Sequence, residues 1–240
     1  MEITALRRRL KITIEASAKQ VLSTDEMGSL FPKGTWVYLT DVGIDPLETI
    51  IAAAAKLRAC GYVPVPHIPA RRIKSAEALD LRIARLSAEA DVDNVLLIAG
   101  EADRQMGPYS ASIEILRSDI LNRHAIRRIA VAGHPEGSTV MSVDMVRASL
   151  LEKADYAAST DAEMRIVTQF GFDAPRFIAW ADGLPAQGIH LPVHMGMAGP
   201  AKMTTLIKYA AICGVGASMS FLKKRGSALA ALAMGFDPDP

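Results

Sequence analysis

Short apolar runs recur along the chain, each broken by a polar or glycine-bearing stretch and followed by a longer segment of helical period. Leu10 to Glu15 alternates apolar and polar residues and reads as a first strand that delivers Glu15 to its C-terminal end. Residues 24 to 30 read as a short helix capped by Thr24 or Asp25. Thr35 to Thr40, rich in β-branched and aromatic residues, is the second strand. Asp45-Pro46 then opens an Ala-rich helix that runs to Cys60 and is stopped by Gly61. Tyr62 to His67 is the third strand despite Pro64 and Pro66, which argue against a central position. A helix from Ser75 to about Ala90 precedes Asn94 to Ala99, a buried strand with the polar exit Gly100-Glu101-Ala102-Asp103.

The second half keeps the alternation. A helix over residues 112–123 leads to the strand Ile129 to Gly133, which stops at His134-Pro135-Glu136-Gly137. Residues 142–153 form a helix, Met164 to Thr168 a strand followed by Gln169-Phe170, and 174–187 a helix ended by Gly188. Strand seven runs from Ile189 to about His194, and helices cover 200–214 and 218–234. Seven strands alternating with helices specify an α/β protein with a parallel sheet and right-handed crossovers. Two architectures satisfy that pattern. A (β/α)8 barrel of the TIM type takes about 250 residues, and here an eighth strand is missing or irregular, since FDPDP stands where it would begin. An open doubly wound sheet is the alternative, but no GxGxxG follows the first strand. The absence of a linker or composition break makes residues 1–240 one barrel domain with a helical tail over 218–234.

Composition narrows the function. The 240 residues carry a formal net charge of +1 and 5% aromatic residues, which removes the electrostatic footprint and the stacking platforms of a nucleic-acid binder. Cys60 and Cys213 stand apart in no CxxC pair, which suits a reduced compartment. No secretory leader and no membrane-length apolar run is read, so a cytoplasmic protein is expected. A barrel with a gap at strand eight would leave two sheet edges to cover, by the C-terminal helix or by a second copy in a homo-oligomer.

The strand ends share a chemistry. Glu15, Thr40-Asp41, His67, Glu101, His134-Pro135-Glu136, Thr168-Gln169 and His194 all interrupt runs that otherwise suit burial. In a parallel barrel such exits open on one face, where ligands bind. Polar residues also simply begin loops, and that plain reading stands beside the functional one. Glu15 and Glu101, facing one pocket, would supply acid–base and cation-stabilising chemistry. His67, His134, His194 and Glu101 would instead form a divalent-metal site of a barrel hydrolase or lyase, although no tight HxH or HExxH motif joins them. His124 and His190 read as surface or helix-end residues.

Taken in order, T-I-E near the start, V-x-L-T, P-V-P-H, L-L-I-A-G-E, V-A-G-H-P-E-G, L-x-x-K and R-I-V-T-Q-F-x-F-D resemble the methylenetetrahydrofolate reductases, over about residues 10–215. The most specific part is the pair A-G-x-P-E-G and T-Q-F-x-F-D with a lysine between them. The resemblance implies a (β/α)8 barrel that reduces 5,10-methylenetetrahydrofolate to 5-methyltetrahydrofolate, with FAD passing hydride from NAD(P)H and no metal. It implies that Glu15 is the general acid that protonates the folate nitrogen as the methylene bridge opens. It implies that Glu101, where the family usually has Asp, stabilises the resulting cation and meets flavin and pterin. Gln169, with Phe170, falls at the position that contacts folate and nicotinamide by turns. Thr40, His67, His134 and Glu136 fall at flavin-side positions, and Lys153 falls near the flavin phosphates.

The chain also departs from that pattern. Ala99-Gly100-Glu101 replaces the usual R-G-D, and His134 and Ser138 replace the tyrosine and the second histidine of Y-P-E-x-H-P. Losing an arginine and a histidine removes two donors suited to phosphate or ring oxygens. Weak FAD binding, or direct use of reduced nicotinamide, follows as an expectation. A non-catalytic folate-binding relative, or a barrel that hands a folate one-carbon unit to another protein, is the remaining reading.

Overall fold

The computed structural model describes residues 12–100, 105–138 and 141–199. Among them lie seven strands: β1 (Ile14–Ser17), β2 (Trp36–Thr40), β3 (Val63–Pro69), β4 (Asn94–Ile98), β5 (Arg128–Gly133), β6 (Glu163–Gly171) and β7 (Val193–Met197). Seven α-helices accompany them: α1 (Ala18–Ser23), α2 (Leu47–Ala59), α3 (Ala76–Ala90), α4 (Ser112–Leu116), α5 (Ile120–Arg123), α6 (Val143–Ala158) and α7 (Ala174–Asp182). The sheet order follows chain order from β1 to β7, and the pairs β1–β2, β2–β3, β3–β4 and β6–β7 are parallel. The fold is α/β with a parallel sheet, as the alternation of the sequence requires. The helices expected over 200–214 and 218–234, and any eighth strand, lie outside the described residues.

Two compact units divide the chain, one of residues 1–130 with 161–163, the other of residues 131–160 with 164–240. In the first, the register pairs Glu15 with Tyr38, Ser17 with Thr40, Tyr38 with Val65 and His67 with Leu96. Alternate residues of a strand share a face, so Glu15, Tyr38, Thr40 and His67 fall on one side of this sheet. Val37, Leu39, Ile68 and Leu97 fall on the other, each with 1% or less of its surface exposed. The helix α2 buries Ile50, Ile51, Ala53, Ala54 and Leu57 and packs on β2 and β3. The helix α3 buries Leu79, Ile83, Leu86 and Ala90, a stripe at helical spacing, and starts at Ser75, whose hydroxyl accepts from Ala78 N–H.

Several boundaries differ from expectation. The first strand starts later, at Ile14, and ends at Ser17, which caps α1 by accepting from Gln20 N–H at 3.2 Å. Glu15 is therefore inside β1 rather than at its exit. The expected helix over 24–30 is a short 3-10 turn at Met27–Ser29, while the helix that forms, α1, precedes it. β3 continues past His67 to Pro69, so His67 too is a strand residue. Its prolines are tolerated because alternate amides of a strand point to opposite neighbours. Pro64 and Pro66 are two apart and remove donors toward one neighbour only. The helix expected over 112–123 is broken into α4 and α5 by Asp119, whose φ of 60° is left-handed. β7 starts at Val193, not Ile189, which puts His194 inside the strand opposite Val167.

In the second unit β6 and β7 are out of step. Val167 pairs with His194, yet Phe170 pairs with Gly196. Thr168 and Gln169 therefore stand where the partner strand has only Met195, a β-bulge, which re-aims side chains. The glycines at this end are small for a reason. A Cβ on Gly196 would lie 2.7 Å from Thr168 O and 2.9 Å from Phe170 N, and one on Gly133 would lie 2.5 Å from Ile166 Cγ2 and 2.8 Å from the Trp180 ring. Gly196→Ala is expected to cost about 1–2 kcal/mol in urea unfolding, since backbone rather than a flexible side chain must move. Among the described residues, no helix is long and apolar enough to cross a membrane.

Candidate functional site

In the first unit the polar strand face is built around His67. Only 8% of its surface is exposed, and its Nε2 is buried without a hydrogen-bond partner. Leaving such an atom unmatched costs about 1–3 kcal/mol, so it is a group that a neighbouring donor or acceptor would stabilise. Burial pushes the imidazole down to about 4, with Asp41 pulling weakly the other way, so His67 is neutral at physiological pH. Tyr38 sets its ring against the imidazole edge, 6.3 Å between centroids and 68° between planes. Glu15 Oε2 lies 3.9 Å from His67 Nε2.

Glu15 differs from His67 in freedom. Its side chain keeps 59% of its surface open, yet surrounding protein desolvates the carboxyl and raises its pKa above the ordinary value. A carboxyl that solvent reaches but protein surrounds is one that small ligands also reach. Thr40 ends β2 on the same face, half-buried. The next residue, Asp41, is buried and meets Arg82 of α3 at 2.5 Å, while its other oxygen accepts from Gly43 N–H at 2.8 Å. The same guanidinium reaches His67 O at 3.5 Å. This charge-assisted pair ties α3 to the exit of β2, and the contact with His67 O extends the tie to β3. Arg82 was not among the sequence candidates, but its signal was available. It falls on the apolar stripe of Leu79, Ile83 and Leu86, where a charge needs a partner.

The second unit assembles a separate group. His134 follows β5 directly; burial lowers its pKa, a side-chain hydrogen bond with Gln169 raises it, and the Lys153 charge lowers it further. Its Nδ1 is buried and has no hydrogen-bond partner. Gln169 sits in the β6 bulge, and Thr168 Oγ1 beside it accepts from Gly196 N–H at 2.8 Å. Lys153 on α6 is buried, donates to Ser149 Oγ at 2.9 Å, and is lowered to about 8 by desolvation, with Glu152 opposing. Arg176 of α7 donates to Pro135 O at 3.1 Å and Glu136 O at 3.3 Å, fixing the turn after β5. The Glu136 carboxyl lies over Gly171, where a Cβ would come within 2.8 Å of Oε1. Phe170 and Phe172 meet edge to face at 6.0 Å.

The structure thus joins Glu15 with His67, and His134 with Gln169 and Lys153. Glu101 lies outside the described residues. Among the described residues no three His, Cys, Asp or Glu side chains gather as a metal ligand set. His124 is tied to Asp80 at 2.9 Å at the end of α5, and His190 is exposed. No family model matches the chain.

Proposed function

We propose that this chain is a methylenetetrahydrofolate reductase-type oxidoreductase, taking hydride from NAD(P)H through FAD to 5,10-methylenetetrahydrofolate. The observation that carries the reading is Glu15, an accessible carboxyl held above the ordinary range on the sheet face it shares with His67 and Thr40. A general acid for a folate nitrogen is helped by both properties: a carboxyl that gives up its proton less readily to solvent than usual, and a route for the ligand to reach it. The seven strands in chain order are what a (β/α)8-type barrel with a missing or irregular eighth strand requires.

Lys153 supports a place for the cofactor. The buried ammonium donates to a serine hydroxyl, and the Glu152 charge offsets its burial only in part, so a flavin phosphate would add negative charge that it can use. His134 Nδ1, buried without a partner, is a second group that suits a ring or phosphate oxygen. Bound FAD supplies the hydride relay itself. The chain's own residues do the rest: Glu15 delivers a proton to the folate nitrogen, leaving a carboxylate beside the cation that forms. Gln169, offered by the bulge and bonded to His134, presents an amide to pterin or nicotinamide. Glu101 is assigned to the cation by resemblance alone.

An absorption spectrum of fresh protein and an NADH-oxidation assay test this. We expect flavin bands in the isolated or FAD-reconstituted protein, and NADH oxidation that depends on methylenetetrahydrofolate. Absence of that dependence in both preparations overturns the reading. Folate binding without turnover would make the chain a non-catalytic binder.

A further inference from the structure

We propose that Glu15 and His67 form one proton-sharing pair, in which His67 is a positioning residue that fixes where Glu15 holds its proton. The inference deepens the reading of Glu15 as the acid and rests on three observations. His67 Nε2 is buried and has no hydrogen-bond partner. Glu15 Oε2 lies 3.9 Å away, just beyond hydrogen-bond distance. The two side chains also differ in mobility: His67 has 8% of its surface exposed and rests against Tyr38, whereas the Glu15 side chain is more than half open. The fixed member therefore dictates the geometry of the free one.

The surroundings leave Glu15 as the partner that completes the histidine. The charged and titratable groups that the described residues set against His67 are Glu15 on β1, Tyr38 on β2, Asp41 at the β2 exit and Arg82 of α3. Asp41 is already neutralised by Arg82 and bonded to Gly43 N–H. Arg82 reaches the His67 carbonyl rather than its ring. Tyr38 offers a ring contact. In the closed pair the proton on Glu15 passes to the Nε2 lone pair, the O–H bonding electrons staying on oxygen, and the step reverses. When a bound base takes the proton instead, a carboxylate and a neutral imidazole remain, and one solvent proton restores the pair.

The test is a pH titration by NMR of protein carrying carbon-13 at glutamate Cδ and nitrogen-15 in histidine, with Glu15→Gln and His67→Gln beside the parent. We expect the Glu15 carboxyl and the His67 ring to report common inflections in the parent. Each residue's midpoint should move by about one pH unit or more when the other is replaced, as coupled sites do. Midpoints indifferent to the other's replacement overturn the pair. Should a variant fail to fold, the parent still decides, because a His67 ring with no response at the Glu15 midpoint overturns it equally. No substrate is present, so coupled titration in a protein that leaves methylenetetrahydrofolate untouched keeps the pair and removes the reductase reading. Turnover with uncoupled titrations does the reverse.

Discussion

Glu15→Gln is expected to lower kcat for methylenetetrahydrofolate reduction by about 10²–10⁴-fold, the usual worth of a positioned general acid, while NADH-to-menadione electron transfer stays within about twofold of the parent. The asymmetry follows from the proposed division of labour. Glutamine keeps the size and hydrogen-bonding shape of the side chain but has no proton to give, so the step that opens the methylene bridge loses its acid. Transfer from reduced nicotinamide to an artificial acceptor needs no such proton. A fold collapse would depress both activities together, so the ratio of the two rates is the informative quantity. Equal loss in both assays makes Glu15 a structural residue. The more-than-half-open side chain argues against that outcome, because its removal uncovers little of the core.

The strand–helix alternation was legible because each strand buries one or both faces, and burial writes itself into the sequence as apolar runs. Ends were less legible. Glu15 and His67 looked like exits because polarity was taken to mark the end of a strand. Both lie within strands, one with its side chain open and one buried, so polarity there does not mark a strand end. The β6 bulge left no mark in the run of residues 163–171, since a bulge is set by the partner strand; its trace is Gly196, where a side chain would strike the β6 backbone. Asp41 with Arg82 was missed for a related reason. A buried ion pair joins two elements, and only a charged residue on an apolar helical stripe announces one half of it.

The departures from the reductase pattern gain a physical meaning at His134. A tyrosine there would carry a hydroxyl donor at the end of a long ring. The histidine instead bonds the Gln169 side chain and leaves Nδ1 buried without a partner. The residue bonded to Gln169 is thus a titratable one, whose charged form burial disfavours. Lys153 nearby favours the same neutral form, since its charge opposes a second cation. This unit therefore offers any ligand two different groups: an imidazole whose charged form is disfavoured, and an ammonium to meet negative charge.

The acid stability of the protein follows from His67. The folded state holds its proton less tightly than the unfolded chain, with the value moved from 6.5 to about 4. Its contribution is therefore complete above pH 6.5. As pH falls below that, the unfolded chain takes a proton that the folded state refuses, and stability is lost until about pH 4. The full loss is about 3 kcal/mol, of which about 2 kcal/mol is gone by pH 5. Glu15 works in the opposite sense, since a carboxyl raised by folding binds its proton more readily in the folded state and adds stability on acidification. The exposed carboxylates held low by hydrogen bonds, Glu48, Glu77 and Asp80, lose their contributions mainly below the window that isolates the histidine. Urea unfolding of the parent and of His67→Gln at pH 7.5 and pH 5 should therefore separate the effects. We expect the parent to lose about 2 kcal/mol more than the variant over that interval, because glutamine has no charge to refuse. Parallel losses in the two proteins would mean that the folded state takes up the His67 proton as readily as the unfolded chain, and would overturn burial as the cause.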